Sequence, residues 1–224
     1  MTLLLSEITL DLAHRGAARA DAGDHHRMLM KALDRSFGGR TLDNPREQAG
    51  LLFRDEVTRQ GRRLLVQSRF PLDPAALGPG YRLTAQREIG SVLDRLSKGQ
   101  AVRYRVVGSP VKRMGRTNRT RELFRENGER LSSKEHTSAL RGAAAEAWWE
   151  RKAQASGLAL DSLRATDTGD AVDAKRRIRH PSMRFDGMAV IEDVQAVSEA
   201  ITNGVGRGKV FGLGLLSLAP GGGR

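Results

Sequence analysis

The 224-residue sequence has no cysteine, which excludes disulfides, thiolate zinc sites and a cysteine nucleophile. Aromatics are scarce: six Phe, two Tyr and two Trp. That is too few for a stacking platform that holds single-stranded bases. Long apolar runs are missing as well. Met1 to Leu5 is apolar but short, no basic region precedes it, and Glu7 and Asp11 break the apolar character soon after. It reads as neither a signal peptide nor a membrane span, so the expected compartment is the cytoplasm and no membrane is expected as a partner. Acids are the minority charge, 26 Asp and Glu against 38 Lys and Arg, for a net charge of +12. A balance this basic calls for a polyanionic partner, nucleic acid ahead of an anionic membrane surface.

The length suffices for one large domain or two small ones. Residues 2–12 alternate, with Leu4, Ile8, Leu10 and Leu12 on one side, and predict a half-buried strand. Residues 15–24 read as a loop and 24–37 as a helix, with Asp24 as N-cap and Met28, Leu29, Ala32, Leu33 and Phe37 as its apolar face. Two strands come next at 50–57 and 62–70, then a Pro- and Gly-rich segment with one helical turn at Pro74–Leu77, then a strand at 81–89. A second set begins with an alternating strand at 100–112. The capping-box pattern Ser132-x-x-Glu135 precedes a helix to about Ala155, with Leu140, Ala143, Ala144, Ala147 and Trp148 on one side. Strands at 158–166 and 183–191, a helix at 192–203 and a closing strand at 210–218 complete it. Each half has the ferredoxin-like βαββαβ order. The expectation is an α+β protein of two tandem ferredoxin-like (RRM-like) domains, over residues 1–92 and 99–220.

Positive charge is concentrated in two places. Arg103–Arg121 holds seven Lys or Arg and no acid; its polar core carries Lys112, Arg113, Arg116 and Arg119 and reads as a loop, for which a solvated surface is the plain alternative. Lys175, Arg176, Arg177, Arg179 and Arg184 lie between two predicted strands and suit a hairpin that tracks phosphates along a duplex groove. A-form RNA offers such a hairpin shape, phosphates and 2′-hydroxyls.

Five histidines are present: His14, His25, His26, His136 and His180. The adjacent pair opens the first long helix. Helical neighbours project about 100° apart, so the pair is a poor chelate for one ion, and no metal or cofactor is expected. Both fall at the border of the apolar face, and periodicity does not choose between them. Near the C-terminus, Gly204-Val205-Gly206-Arg207-Gly208-Lys209-Val210-Phe211-Gly212-Leu213-Gly214-Leu215-Leu216-Ser217-Leu218-Ala219-Pro220 joins five glycines, two cations and an apolar run. Such a loop can turn successive N–H groups toward an anion, or can simply be a flexible turn between helix and strand. The helix-then-strand order is wrong for a dinucleotide fingerprint.

That C-terminal run resembles the signature of the CasE family, the precursor-RNA endoribonucleases of type I-E CRISPR systems. The segment His26-Arg27-Met28-Leu29-Met30-Lys31-Ala32-Leu33 looks like the family's first helix, whose histidine is catalytic. The resemblance implies His26 as the catalytic residue and Arg27 as its neighbour at the scissile phosphate. It implies RNA contacts from the basic hairpin and from Gly204, Gly206, Arg207, Gly208 and Lys209. Some relatives carry tyrosine three residues before the histidine, where this chain has Gly23, which leaves the second proton-transfer group unassigned; neither Tyr81 nor Tyr104 is placed by a motif. The implied reaction is metal-independent cleavage of CRISPR precursor RNA at the base of the repeat stem-loop by 2′-hydroxyl attack. The implied partners are the repeat stem-loop, the mature crRNA and the other subunits of the type I-E surveillance complex. The alternative is a non-catalytic subunit that holds the RNA hairpin.

Overall fold

The computed structural model describes residues 2–37, 43–113 and 137–221. The first sheet is built from β1 (Leu4–Leu10), β2 (Leu52–Thr58), β3 (Gly61–Ser68) and β4 (Tyr81–Glu88), in the order β2-β3-β1-β4. All its pairings are antiparallel. Between β1 and β2 lie the short helix α1 (Arg15–Arg19), the long helix α2 (Ala22–Asp34) and the single turn α3 (Pro45–Gln48). Helix α4 (Gly90–Leu93) leads to the second half. There β5 (Ala101–Gly108), β8 (Leu158–Leu160), β10 (Ile178–Ile191) and β11 (Ser217–Pro220) form the order β11-β5-β10-β8, with β9 (Arg164–Asp173) paired to the extended end of β10. Helices α5 (Ala143–Ala155) and α6 (Val194–Asn203) supply the two crossovers, and β6 (Val111–Arg113) pairs with β7 (Thr137–Ala139) as a separate ribbon. Both four-strand orders are the ferredoxin-like one, so the chain is α+β with two such units in tandem.

Each unit has its own core. In the first, Leu29 and Leu33 of α2 pack on Ile8, Phe53, Leu64 and Val66 of the sheet. In the second, Trp149 of α5 is fully buried and stacks on Phe185 of β10 at 5.6 Å between centroids, with Tyr104 of β5 at the same distance. Leu3, just ahead of β1, is buried in the second core, so the chain's start ties one unit to the other.

Several expectations change. Residues 15–24 are not a loop: α1 and the start of α2 occupy them. The cap of α2 is Asp21, not Asp24. The Asp21 carboxylate accepts from the Asp24 N–H at 2.9 Å, and Asp24 returns the bond to the Asp21 N–H at 3.3 Å, a reciprocal capping box built from two aspartates. Leu12 is 53 % exposed, because β1 ends at Leu10. The inner face of α5 is Ala145, Trp148, Trp149 and Ala153, while Ala143 and Ala144 face solvent; the Ser132-x-x-Glu135 pattern lies outside the described residues. The run 158–166 divides into β8 and the start of β9. The run 210–218 is mostly not strand: Lys209–Phe211 is a 3₁₀ turn and only Ser217–Pro220 pairs with β5. Residues 211–216 are all buried, so their apolar character reports packing on both sides rather than a strand period.

Truncating the stacked indole removes the largest fully buried side chain. Trp149→Ala is expected to cost about 3–5 kcal/mol, read as a lower midpoint in urea unfolding.

Candidate functional site

Helix α2 sorts the two histidines by face. His25 is fully buried, edge-on to Phe53 and to Tyr81, with centroids at 6.4 and 5.9 Å. Its Nδ1 stands 3.6 Å from Asp55 Oδ2, too far for a hydrogen bond, and neither ring nitrogen has a partner. Burial lowers its pKa more than the Asp55 carboxylate raises it, so His25 is a neutral core side chain. His26 is on the neighbouring face and partly exposed. Its pKa is pushed down to about 4, first by burial and then by the cations Arg46, Arg176 and Arg27, against which Asp173 acts weakly. Its Nδ1 is covered and unpartnered.

These cations come from four elements. Arg27 is on α2 beside His26. Arg46 sits on α3, which starts with Pro45 at its first turn. Arg176 is in the β9–β10 turn. Lys209 opens the 3₁₀ turn that packs against α2; burial lowers its ammonium pKa, and Arg46 lowers it further. Arg46, Lys209, Thr202 and Asn203 line one small cavity of about 60 Å³. A neutral imidazole with cations on several sides is a site prepared for an anion.

The other expected residues are placed differently. Lys175, Arg177 and Arg179 are exposed on the hairpin, and Arg179 lies 3.8 Å from Asp170. Arg184 is not at the tip: it is in β10, half-buried, and paired with Asp186 at 2.7 Å. Lys112 is exposed on β6. Arg113 is in the same strand, and Arg116 and Arg119 lie outside the described residues. Arg207 is exposed. The loop glycines have a packing role. Gly204 has φ +73°, and a Cβ there would meet Leu52 Cδ2 at 2.8 Å; Gly208 has φ +80° and would meet Leu213 at 2.7 Å. The loop therefore lies directly on the first sheet, which brings Lys209 to α2. Lys31, one turn beyond His26, is exposed.

Neither tyrosine takes the place of the absent one. Tyr81 packs on the buried His25, and burial pushes its hydroxyl pKa up to about 12. Tyr104 is in the second core and donates to the Ser162 carbonyl at 3.0 Å. At Gly23 a Cβ would fall 2.3 Å from Asp173 Cγ, so the Asp173 carboxylate occupies the space beside this position. Arg46 and Asp173 are the site residues that sequence reasoning missed. The Asn44-Pro45 pair marks a helix start at Arg46, but nothing local links either residue to His26.

A larger crevice of about 580 Å³ lies between the two units, lined by Arg54, Glu56, Arg105, Thr168 and Phe211 among others. Neither His26 nor Arg27 lines it. Among the described residues no group of three or more His, Asp or Glu is arranged to hold a metal ion.

Comparison with known proteins gives the family. The chain belongs to the CRISPR associated protein family, whose model matches residues 3–220. A curated relative, CRISPR-associated endoribonuclease Cse3 from Thermus thermophilus, is 28 % identical over 234 residues, covering 96 % of this chain and 99 % of the relative. A structure of Thermus thermophilus Cse3 bound to an RNA representing a pre-cleavage complex superposes with a TM-score of 0.74 at 27 % identity, over 98 % of this chain and 100 % of that one. A chain of a CRISPR RNA-guided surveillance complex in a pre-nicking state matches at 45 % identity and a TM-score of 0.67, over 97 % of this chain and 99 % of that chain. The CasE-type resemblance seen at residues 26–33 and 204–220 is in line with all three.

The burial difference separates the histidines in stability. His25→Ala is expected to lower unfolding free energy by about 2 kcal/mol or more, and His26→Ala by about 1 kcal/mol or less, both measured by urea titration.

Proposed function

We propose that this protein is a metal-independent endoribonuclease that cleaves CRISPR precursor RNA at the base of the repeat stem-loop, keeps the mature crRNA, and works in the cytoplasm as a subunit of the RNA-guided surveillance complex. The observation that carries the reading is a neutral His26 among Arg27, Arg46, Arg176 and Lys209, on a chain that matches RNA-bound relatives along nearly its whole length. The exposed cations of the β9–β10 hairpin are the grip on the duplex, where phosphate contacts set position and register.

These groups define the chemistry. His26, unprotonated at neutral pH, takes the proton of the 2′-hydroxyl. The oxygen attacks the adjacent phosphorus, the P–O5′ bond breaks, and the 5′-oxygen leaves with a proton. The products are a 2′,3′-cyclic phosphate and a 5′-hydroxyl. Lys209 and Arg46 face the charge that develops on the phosphorane oxygens, while Arg27, expected at the phosphate, has both terminal nitrogens paired with Asp173 and Asp24. Burial is the main cause of the low His26 pKa, and an incoming phosphate offsets the part that the cations add, which raises it. An imidazolium formed by the first proton transfer is then stable long enough to supply the proton for the departing oxygen.

A labelled repeat hairpin incubated with EDTA tests the reading. Wild type is expected to cut once. His26→Ala is expected to lose about 10²–10⁴-fold in rate, and a 2′-deoxy substrate is expected to stay intact. Tight binding by wild type with no cutting would instead favour the hairpin-holding subunit, the reading that Gly23 in place of tyrosine suggests. Abolition of cleavage by EDTA would overturn the metal-free chemistry.

The pH profile tests the role of His26. At sub-saturating RNA the profile reports the free enzyme, whose His26 protonates only near pH 4. As the base, it predicts a rate that holds from neutral pH down to about 5 and falls below that. A rate that falls as pH rises from 4 to 7 would make His26 the acid instead.

A further inference from the structure

The β9–β10 turn is fastened to the N-terminal turns of α2. The Ala174 N–H donates to Asp21 Oδ2 at 2.7 Å, while the other oxygen of Asp21 caps the helix. Asp173, the last residue of β9, is 2 % exposed and lies over Gly23. It accepts from both sides of the junction. Arg27 Nη1 on α2 donates to its two oxygens at 3.2 and 3.0 Å, and the Arg176 N–H in the turn donates at 3.2 Å. Asp24 takes Arg27 Nη2 at 2.8 Å. Burial works to raise the Asp173 pKa, but Arg27 and the Arg176 N–H outweigh it and hold the carboxyl ionised. One carboxylate therefore joins the helix that carries His26 to the turn that carries Lys175, Arg176 and Arg177.

We infer that Asp173 is a positioning residue for RNA cleavage: by bridging Arg27 to the β9–β10 turn across Gly23, it sets the register between the RNA gripped by the hairpin and the His26 imidazole. The inference rests on the nuclease reading above. Two requirements lead to it. Cutting at one phosphate needs the grip and the imidazole fixed to within about an ångström, since misplacement of that size can cost ~10²-fold. A β-hairpin that extends from its own sheet is fixed only at its base unless its tip is held. Asp173 and Asp21 supply that hold, and Gly23 is the space that lets the carboxylate reach Arg27. The missing tyrosine is the other side of the same packing: a side chain at position 23 would displace Asp173.

The test compares wild type with Asp173→Asn, Gly23→Ala and the double variant on the repeat hairpin, after thermal melts confirm that each is folded. Asn keeps the size and removes the charge. Ala places a Cβ where the carboxylate sits. At saturating protein, the single-turnover rate is expected to fall roughly tenfold or more in each single variant, while the Kd for the hairpin changes by less than about threefold. Products resolved to one nucleotide should show cuts at neighbouring phosphates beside the normal one. The double variant should be no slower than the slower single, because both disturb one contact. Unchanged rate and a single product in Asp173→Asn would overturn the inference, as would a rate loss that tracks lost binding, or single-variant losses that multiply in the double. Failure of wild type to cut would remove the nuclease reading itself, so the two failures are distinguishable.

Discussion

The arrangement depends on one guanidinium buried between the two units. Arg54 of β2 is 3 % exposed. Its Nε donates to Glu56 at 2.8 Å, and its Nη1 donates to the Leu215 carbonyl at 3.0 Å, in the segment after the glycine-rich loop. Burial opposes its charge and lowers its pKa, while Glu56 raises it. Glu56 is drawn in turn by Arg63 and Arg105, and Arg105 pairs with Asp186 of β10. A buried ion pair of this kind adds little to stability compared with apolar packing, but removing one partner strands a charge. Its use here is specificity of docking. Only one relation of the sheets brings the Leu215 carbonyl to Arg54, and that relation lays the loop on Leu52 and Phe53 and brings Lys209 to α2.

The charge at the site runs opposite to that of the interface. Between the units each guanidinium meets a carboxylate. Around His26 stand Arg46, Arg176 and Arg27, with Lys209 beside Arg46, and burial first and neighbouring cations second lower the pKa of both the imidazole and the ammonium. Carboxylates placed there would stabilise the resting protein and compete with phosphate. Of the acids close by, Asp173 is engaged by Arg27 and the turn, Asp24 by Arg27, and Glu47 lies beside Lys209 in the small cavity. On the proposed reading, a phosphate entering this site would meet cations and an unprotonated imidazole.

The features legible in the sequence are those that depend on local period. Strand β5 alternates Val102, Tyr104 and Val106 against Arg103, Arg105 and Val107; the first three are buried and both arginines exposed, but Val107 is buried too, where the alternation ends. The element order of both halves is legible for the same reason. The start of α2 is misplaced by sequence reasoning because its capping box uses aspartate at both ends, and Asp24 alone resembles a cap. The run 210–218 misleads because packing between two units buries residues 211–216 whatever the backbone does. The choice between His25 and His26 is out of reach of periodicity: the groups that bury His25 are Phe53 and Tyr81, which are distant in sequence. The family resemblance picks out His26, and the fold shows His25 buried and His26 partly exposed. Arg46 and Asp173 leave no local signal at all, since their role exists only after α3 and β9 are brought to the same helix.

Gly23 shows how such distant packing changes the meaning of a residue. In the linear motif it is a missing tyrosine and a lost proton donor. In three dimensions it is the clearance that lets a carboxylate 150 residues away reach Arg27. The two readings differ in kind. A hydroxyl would act on the leaving oxygen, whereas Asp173 acts through geometry, by tying the hairpin to the helix. Its negative charge could not itself protonate a departing alkoxide, so the proton comes from another group: the His26 imidazolium, the Lys209 ammonium, whose pKa burial lowers, or water. One histidine that serves as base and then as acid meets that requirement without a second proton-transfer side chain.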